Sequence, residues 1–277
     1  RAPDPGQVLV VDGKPVLDAR TYYAAERGEL ETGTVIVSVP RNRALGEIPK
    51  PSVLRFDVRP DPARHVIVGD MKIHPDMEEF VREVKIELAK SQRREIFVLI
   101  HGYNTKFDEG IERTAQLSTD LEIDGAAVFY SWPSAGSLFG YKADRSQITP
   151  EAAQDLEDFL LVLADRTGAD RISVVAHSMG NEFLTLALEQ MARDRPGEKL
   201  FDEVIFASPD VDADDFIERV SEIDSLADDF TLYASSKDRA LQASRRFNGT
   251  GRRAGDSAEP VLLPVLNTID TSAVSDG

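Results

Sequence analysis

The stretch RISVVAHSMGNEFL, residues 171–184, sets Ser178 between a β-branched run and a helix-like run. A serine hydroxyl is a weak nucleophile until a base takes its proton. A sharp strand-to-helix turn can present that hydroxyl, provided small residues flank it two positions away on each side. Strand and helix approach too closely there for larger side chains. Ala176 and Gly180 meet the requirement, with alanine standing where glycine is more usual. The helix N-terminus behind the serine adds a favourable dipole and free N–H groups. Ser178 is therefore the candidate nucleophile, and the Met179 N–H is a candidate oxyanion donor. A second donor is expected from FVLIHGYN, residues 97–104, where Gly102 allows a tight turn and the Tyr103 N–H can point inward. One such donor is worth roughly 3–4 kcal/mol of barrier.

Five segments, LIHGYNTKFDEG, FYSWPSAGSLFGY, VVAHSMGN, IFASPDVDADDF and LYASSKDRAL, occur in this order. In them the chain resembles a bacterial α/β-hydrolase family long labelled a domain of unknown function and grouped with the esterase/lipase superfamily. The similarity runs over roughly residues 20–270, including Tyr22-Tyr23-Ala24 and Val37-Ser38-Val39-Pro40-Arg41. The resemblance implies an α/β-hydrolase fold, a Ser–His–Asp triad and hydrolysis of a small-molecule carboxylic ester; it names no natural substrate.

In that fold the triad follows the chain order serine, acid, histidine. Asp210 in FASPDVD and Asp238 in YASSKDRAL both follow strand-like runs. The usual place is the loop after the penultimate strand, which favours Asp238. Asp210 is then an alternative acid, a pocket residue or the cap of a helix starting near Ala213. No histidine follows Ser178: the four are His65, His74, His101 and His177. His177 adjoins the serine, but neighbours at such a turn point in different directions, so packing or a hydrogen bond is expected of it. His101 is read as structural, and His65 and His74 as unrelated surface residues rather than a metal site. The related family carries a Gly-His-Ser-Tyr-like segment shortly after NTID, so the base is expected beyond Gly277. A chain without it would keep only the ~10³–10⁴-fold acceleration due to the oxyanion hole and binding. The other reading is a fold retained for binding without catalysis.

Nearby, Trp132 in SWPS is either a wall of the acyl pocket or a packed side chain. Gly136–Tyr141 has the composition of a partly apolar lid, and Asp144 and Arg145 read as a structural pair.

The elements that must position these groups alternate from about Pro75 onward. Met77, Phe80, Val81, Val84 and Leu88 share one helical face; EIFVLI (95–100) is apolar on both faces, as in a buried parallel strand. Helix is expected over 107–121, strand over 126–132, and helix after the Thr149-Pro150-Glu151 start signal. Then follow strand 171–176, helix 179–193, strand 203–207, helix 213–226, strand 230–234 and a last strand within 260–270. Repeated units of this kind predict a mostly parallel central sheet with helices on both faces. Residues 1–70, broken by prolines, carry the β-like runs Thr34–Val39, Val53–Val58 and His65–Val68. They are read as a small β-rich N-terminal extension packed on a hydrolase domain spanning 71–277. Residues 248–260 read as a surface loop.

Composition narrows the functional classes further. With 49 acidic and 32 basic residues the formal charge is −17, a field that repels nucleic-acid backbones. No apolar run is long enough to span a bilayer. The absence of cysteine excludes disulfides, thiolate metal sites and a cysteine nucleophile. No cofactor and no metal are called for, and the oligomeric state is open. The opening on Arg1 fits either a cytoplasmic protein or one exported after loss of an upstream segment.

Overall fold

The computed structural model describes residues 1–2, 9–11, 14–51, 59–137, 139–237 and 251–274. The expected run Val53–Val58 and the candidate acid Asp238 lie outside them. Two short strands, β1 (Leu9–Val11) and β2 (Lys14–Val16), pair antiparallel, as do β3 (Gly33–Ser38) and β4 (Ile67–Ile73). The remaining strands are β5 (Glu95–Ile100), β6 (Gly125–Tyr130), β7 (Arg171–His177), β8 (Phe201–Ala207), β9 (Ala227–Ala234) and β10 (Leu266–Asp270). They form one sheet in the order β10-β9-β8-β7-β5-β6, every pairing parallel.

The helices are α1 (Met77–Lys90), α2 (Phe107–Asp120), α3 (Tyr141–Arg145), α4 (Pro150–Arg166), α5 (Gly180–Asp194) and α6 (Ala213–Val220). α1 and α4 start on side-chain caps, the second where Thr149-Pro150-Glu151 signals it. The Asp76 carboxylate accepts the Glu79 N–H at the head of α1 (2.9 Å). The Thr149 hydroxyl accepts the Ala152 N–H ahead of Pro150 (3.2 Å). Phe80, Val84 and Leu88 of α1, Leu156 and Leu160 of α4, Leu184 and Leu188 of α5 and Phe216 of α6 join one core with Val98, Val174, Val204 and Phe230 of the sheet. α2 buries Ile111 in a second, smaller cluster with Met71 and Ala19, against which Phe129 packs. Because Val128 and Phe129 are adjacent on β6 and serve different clusters, α2 and the β3–β4 pair lie on the opposite face.

Three local expectations are corrected. α6 ends at Val220, not Leu226, and β9 starts at Ala227; Ile223 and Leu226 remain buried, so the apolar pattern continued past the helix. The Ser221 hydroxyl bonds back to the Ile217 carbonyl at that end (2.6 Å). Within the described part of 248–260 only the two ends are surface loop, with Gly251 and Ala258 to Pro260 exposed, whereas Arg253, Ala254 and Asp256 are buried. Its backbone threads between the loop after β8 and the end of β9. Ala254 N–H donates to Val211 (3.0 Å), Gly255 N–H to Pro209 (3.0 Å), and Ser235 N–H to Gly255 (2.9 Å). His65 and His74 are likewise buried, not on the surface.

Candidate functional site

The strand order reverses at β5. The chain passes from β5 to β6 on one side, then crosses back to β7 and continues to β10. In parallel α/β sheets the crevice beyond the strand ends at such a reversal is where ligands bind. Ser178 follows β7 and the Gly102 loop follows β5, so both stand at that crevice.

Ser178 is held in left-handed backbone, φ 51°, which costs an L-residue roughly 1–2 kcal/mol. The surroundings impose it. Its N–H donates to the Ala207 carbonyl (2.9 Å). Its own carbonyl accepts Asn181 N–H (3.2 Å), Asn181 Nδ2–H (2.9 Å) and Asp210 N–H (3.2 Å). Its side chain is partly exposed, and its Oγ has no hydrogen-bond partner among the described residues. Met179 is the residue ahead of α5, fully buried, and among the described residues nothing accepts its N–H.

The two glycines explain how closely the parts approach. A Cβ on Gly180 would lie 2.4 Å from the His101 carbonyl oxygen and 3.1 Å from that of Ile100. A Cβ on Gly102 would lie 2.9 Å from the Ser178 Cβ and 2.8 Å from His177 Nδ1. The loop after β5 is therefore in direct contact with the elbow at Gly102.

His101 is locked beneath that loop. Its Nδ1 lies 2.8 Å from the Gly102 carbonyl oxygen and its Nε2 3.0 Å from that of Trp132. The Trp132 indole N–H donates to the His101 carbonyl (2.7 Å), and the two rings stack at 4.7 Å. Burial, helped by the Arg1 guanidinium, pushes the imidazole down to about 3 against the pull of both carbonyls. A ring so sequestered holds the loop together. Trp132, 2% exposed, is packed between His101 and Phe183. Tyr103 packs edge-on against Tyr141 (5.3 Å), and its hydroxyl donates to the Ser137 carbonyl (3.1 Å). Burial and the Asp144 charge raise that phenol's pKa.

Asp210 is buried, with Tyr141 O–H donating to its Oδ2 (2.9 Å) and Arg253 Nε 3.3 Å from its Oδ1. It does not cap α6; Asp212 does, accepting the Asp214 N–H (3.0 Å). Asp144 and Arg145 are not a pair either. Asp144 accepts Ser134 O–H and Ala135 N–H (both 2.6 Å) and Asn104 N–H (3.2 Å), while Arg145 pairs with Glu182 (3.1 Å). Consecutive residues of α3 point in different directions, which a sequence pair conceals. In Gly136–Tyr141, Phe139 is 99% exposed but Tyr141 is buried.

Sequence reasoning gave no role to Asn181, Arg253 or Arg1. The Arg1 guanidinium donates to Ser131 Oγ (3.0 Å) and to the Trp132 (3.1 Å) and Thr105 (2.6 Å) carbonyls. Only Asn181, inside the AHSMGN run, carried a local signal. A cavity of about 810 Å³ opens between β3 and β6, lined by Val35, Phe107 and Phe129 among others and by no elbow residue. The strained serine and the reversal of the sheet locate the site better than that volume does. Among the described residues no three His, Cys, Asp or Glu side chains are grouped to hold a metal, and no helix is long and apolar enough to cross a membrane.

Residues 76–267 match the model of a family described as alpha/beta hydrolase of unknown function (DUF900). An uncharacterized protein of Nostoc sp. (strain PCC 7120 / SAG 25.82 / UTEX 2576), alr1448, is 25% identical over 171 residues. That match covers 45% of this chain and 44% of the relative, so the chain spans less than half the length of that curated protein. Among solved structures, a protein from Thermoplasma acidophilum described as a predicted CIB-like hydrolase aligns with 17% identity and a TM-score of 0.36, covering 65% of this chain and 77% of that one.

Proposed function

Since the chain belongs to the family of alpha/beta hydrolases of unknown function, we propose that it is a serine hydrolase acting on carboxylic esters. Ser178 attacks the acyl carbon and forms an acyl-enzyme, which water then hydrolyses. The Met179 and Tyr103 N–H groups stabilise the oxyanion. Asp238 orients a histidine that follows β10, beyond Gly277, and takes the serine proton. All six strands are parallel, so the chain leaving β10 reaches the same sheet edge as Ser178. Three strand spacings separate β10 from β7, about 14 Å, a span that a loop of several residues crosses.

One observation carries the reading: a non-glycine residue at φ 51°, pinned through its N–H and carbonyl, at the sheet's reversal and against a glycine loop. Strain of this kind is kept where geometry serves chemistry. The engagement of Asp210 by Tyr141 and Arg253 supports Asp238 as the triad acid.

Labelling with a fluorophosphonate tests the proposal. The natural full-length protein is expected to label and to hydrolyse a p-nitrophenyl ester, and Ser178→Ala to do neither. An unlabelled full-length protein would favour a binding role for the fold.

A further inference from the structure

Asp144 is 1% exposed, yet the reaction outlined above gives it no task. A buried carboxylate is costly unless its oxygens are satisfied. Here Ser134 O–H, Ala135 N–H and Asn104 N–H donate to it, with the charge of the Arg1 guanidinium nearby. Hydrogen bonds to an ionised acceptor are shorter and stronger than neutral ones. Asn104 directly follows Tyr103 and is itself in left-handed backbone, φ 56°. Fixing the Asn104 N–H fixes the plane of the Tyr103–Asn104 peptide, and with it the bend that aims the preceding N–H.

The same short helix reaches the other two parts of the site. Tyr141, at its start, donates to Asp210, whose own N–H holds the Ser178 carbonyl. Arg145, at its end, pairs with Glu182 on α5 just behind the nucleophile, and Arg219 of α6 holds the other oxygen of that carboxylate (3.1 Å). Tyr103 is gripped from two directions as well, by its hydroxyl on Ser137 and its ring on Tyr141. Within five residues, α3 thus makes polar contacts to the oxyanion loop, the loop after β8 and the nucleophile helix.

We propose that Asp144 is a positioning residue for the oxyanion loop and that α3 is the clamp registering this loop against Ser178. The proposal rests on Ser178 as nucleophile for its catalytic consequence, though not for the loop-holding itself. Misplacing an oxyanion donor by about an ångström costs on the order of 10²-fold in rate. A carboxylate with a purely structural task would instead affect folding and substrate binding together.

The test uses the natural full-length protein with Asp144→Asn and, as a second variant, Ser134→Ala. Amide hydrogen exchange of residues 102–106 reads the loop directly. Ester turnover, and binding of a trifluoromethyl ketone that forms a tetrahedral adduct on the serine, read the oxyanion hole. For Asp144→Asn, faster loop exchange is expected, with kcat lowered roughly 10- to 100-fold, KM nearly unchanged and ketone affinity reduced in step with kcat. Ser134→Ala should move each readout in the same direction, because it removes one of the three donors to Asp144 and also the hydroxyl that accepts the Thr105 N–H of the loop (3.3 Å). Unchanged exchange across 102–106 overturns the proposal whatever the activity. Weaker substrate binding and a lower melting temperature together, with kcat and ketone affinity both at the parental level, also overturn it. If the parent neither turns over ester nor binds the ketone while Asp144→Asn still loosens the loop, the serine reading fails and the loop-holding role stands.

Discussion

The carboxyl edge of the six-stranded sheet and the β3–β4 pair use backbone and polar groups in contrasting ways. At the sheet edge three non-glycine residues, Asn104, Ser178 and Ser208, hold left-handed backbone just beyond β5, β7 and β8. Several buried polar side chains around them are engaged, His101 between two carbonyls, Asp144 among three donors and Asp210 between Tyr141 and Arg253, while Asn181 Oδ1 has no hydrogen-bond partner among the described residues. No described non-glycine residue between 14 and 75 has a positive φ. Beside the β3–β4 pair, buried His74 has neither ring nitrogen hydrogen-bonded, and Ile36 on β3 is 69% exposed. Strain at the edge persists because many bonds over-determine it, whereas the antiparallel pair carries little strain and few polar constraints.

The largest predicted break is Gly180→Ala. The added Cβ would meet backbone oxygen at 2.4 Å, and neither strand end nor helix start can rotate out of its way. A loss of about 3 kcal/mol is expected, at the upper end of overpacking effects, together with lost ester turnover. Chemical denaturation and a turnover assay check it. A variant with parental stability would show that the helix and β5 are less tightly apposed than the geometry requires.

Next in size is the acid sensitivity that His101 confers. Its pKa falls from 6.5 to about 3 on folding, through burial first and the Arg1 charge second. The unfolded chain therefore takes up a proton below pH 6.5 that the folded chain refuses. This contribution to stability is complete above pH 6.5, declines as pH falls, and levels off near pH 3. By linkage the loss at pH 5 is about 2 kcal/mol. Measured from pH 7 to pH 5, wild-type stability should drop by roughly that much more than His101→Gln. Parallel pH profiles would contradict the sequestered imidazole.

Most of this architecture was legible in the chain, and the exceptions share a cause. EIFVLI reads as a buried strand because both faces are apolar, and Thr149-Pro150 reads as a helix start because cap and ring act locally. The elbow was legible for the same reason, since Ala176, Ser178 and Gly180 act within one turn. Asp144, His65 and His74 were misread, and Arg253 was given no role, because their partners are remote or their burial is. Asp144 binds Asn104, 40 residues away, and Arg253 lies 43 residues beyond Asp210. Sequence spacing carries no information about such meetings. The Arg- and Gly-rich look of 251–256 suggested solvent, yet its carbonyls and N–H groups are consumed by the ends of β8 and β9.

A smaller effect isolates the strain at Ser178 from its chemistry. Ser178→Ala and Ser178→Gly both remove the hydroxyl, but only glycine adopts φ 51° without a Cβ penalty. The glycine variant should be more stable than the alanine variant by about 1 kcal/mol, read as a difference in denaturation midpoint at equal slope. Equal midpoints would mean the turn is relaxed, and the contrast between the two regions would lose its energetic basis.

The smallest expected effect lies on the other side of the comparison. Ile36 projects from β3 into solvent at the mouth of the cavity between β3 and β6. Threonine there keeps the β-branch that suits a strand and gives up only apolar surface that is already mostly wet. Ile36→Thr should therefore shift stability by less than about 0.5 kcal/mol. Loop exchange over 102–106 and ester turnover should stay at the parental level. The β3–β4 pair touches the sheet through Met71, Ile111 and Phe129, on the face away from Ser178's helix α5. Among the described residues, a strand so placed makes no polar contact with the elbow. A marked loss of turnover in Ile36→Thr at unchanged melting temperature would join the two regions, making the β3–β6 cavity part of the working site.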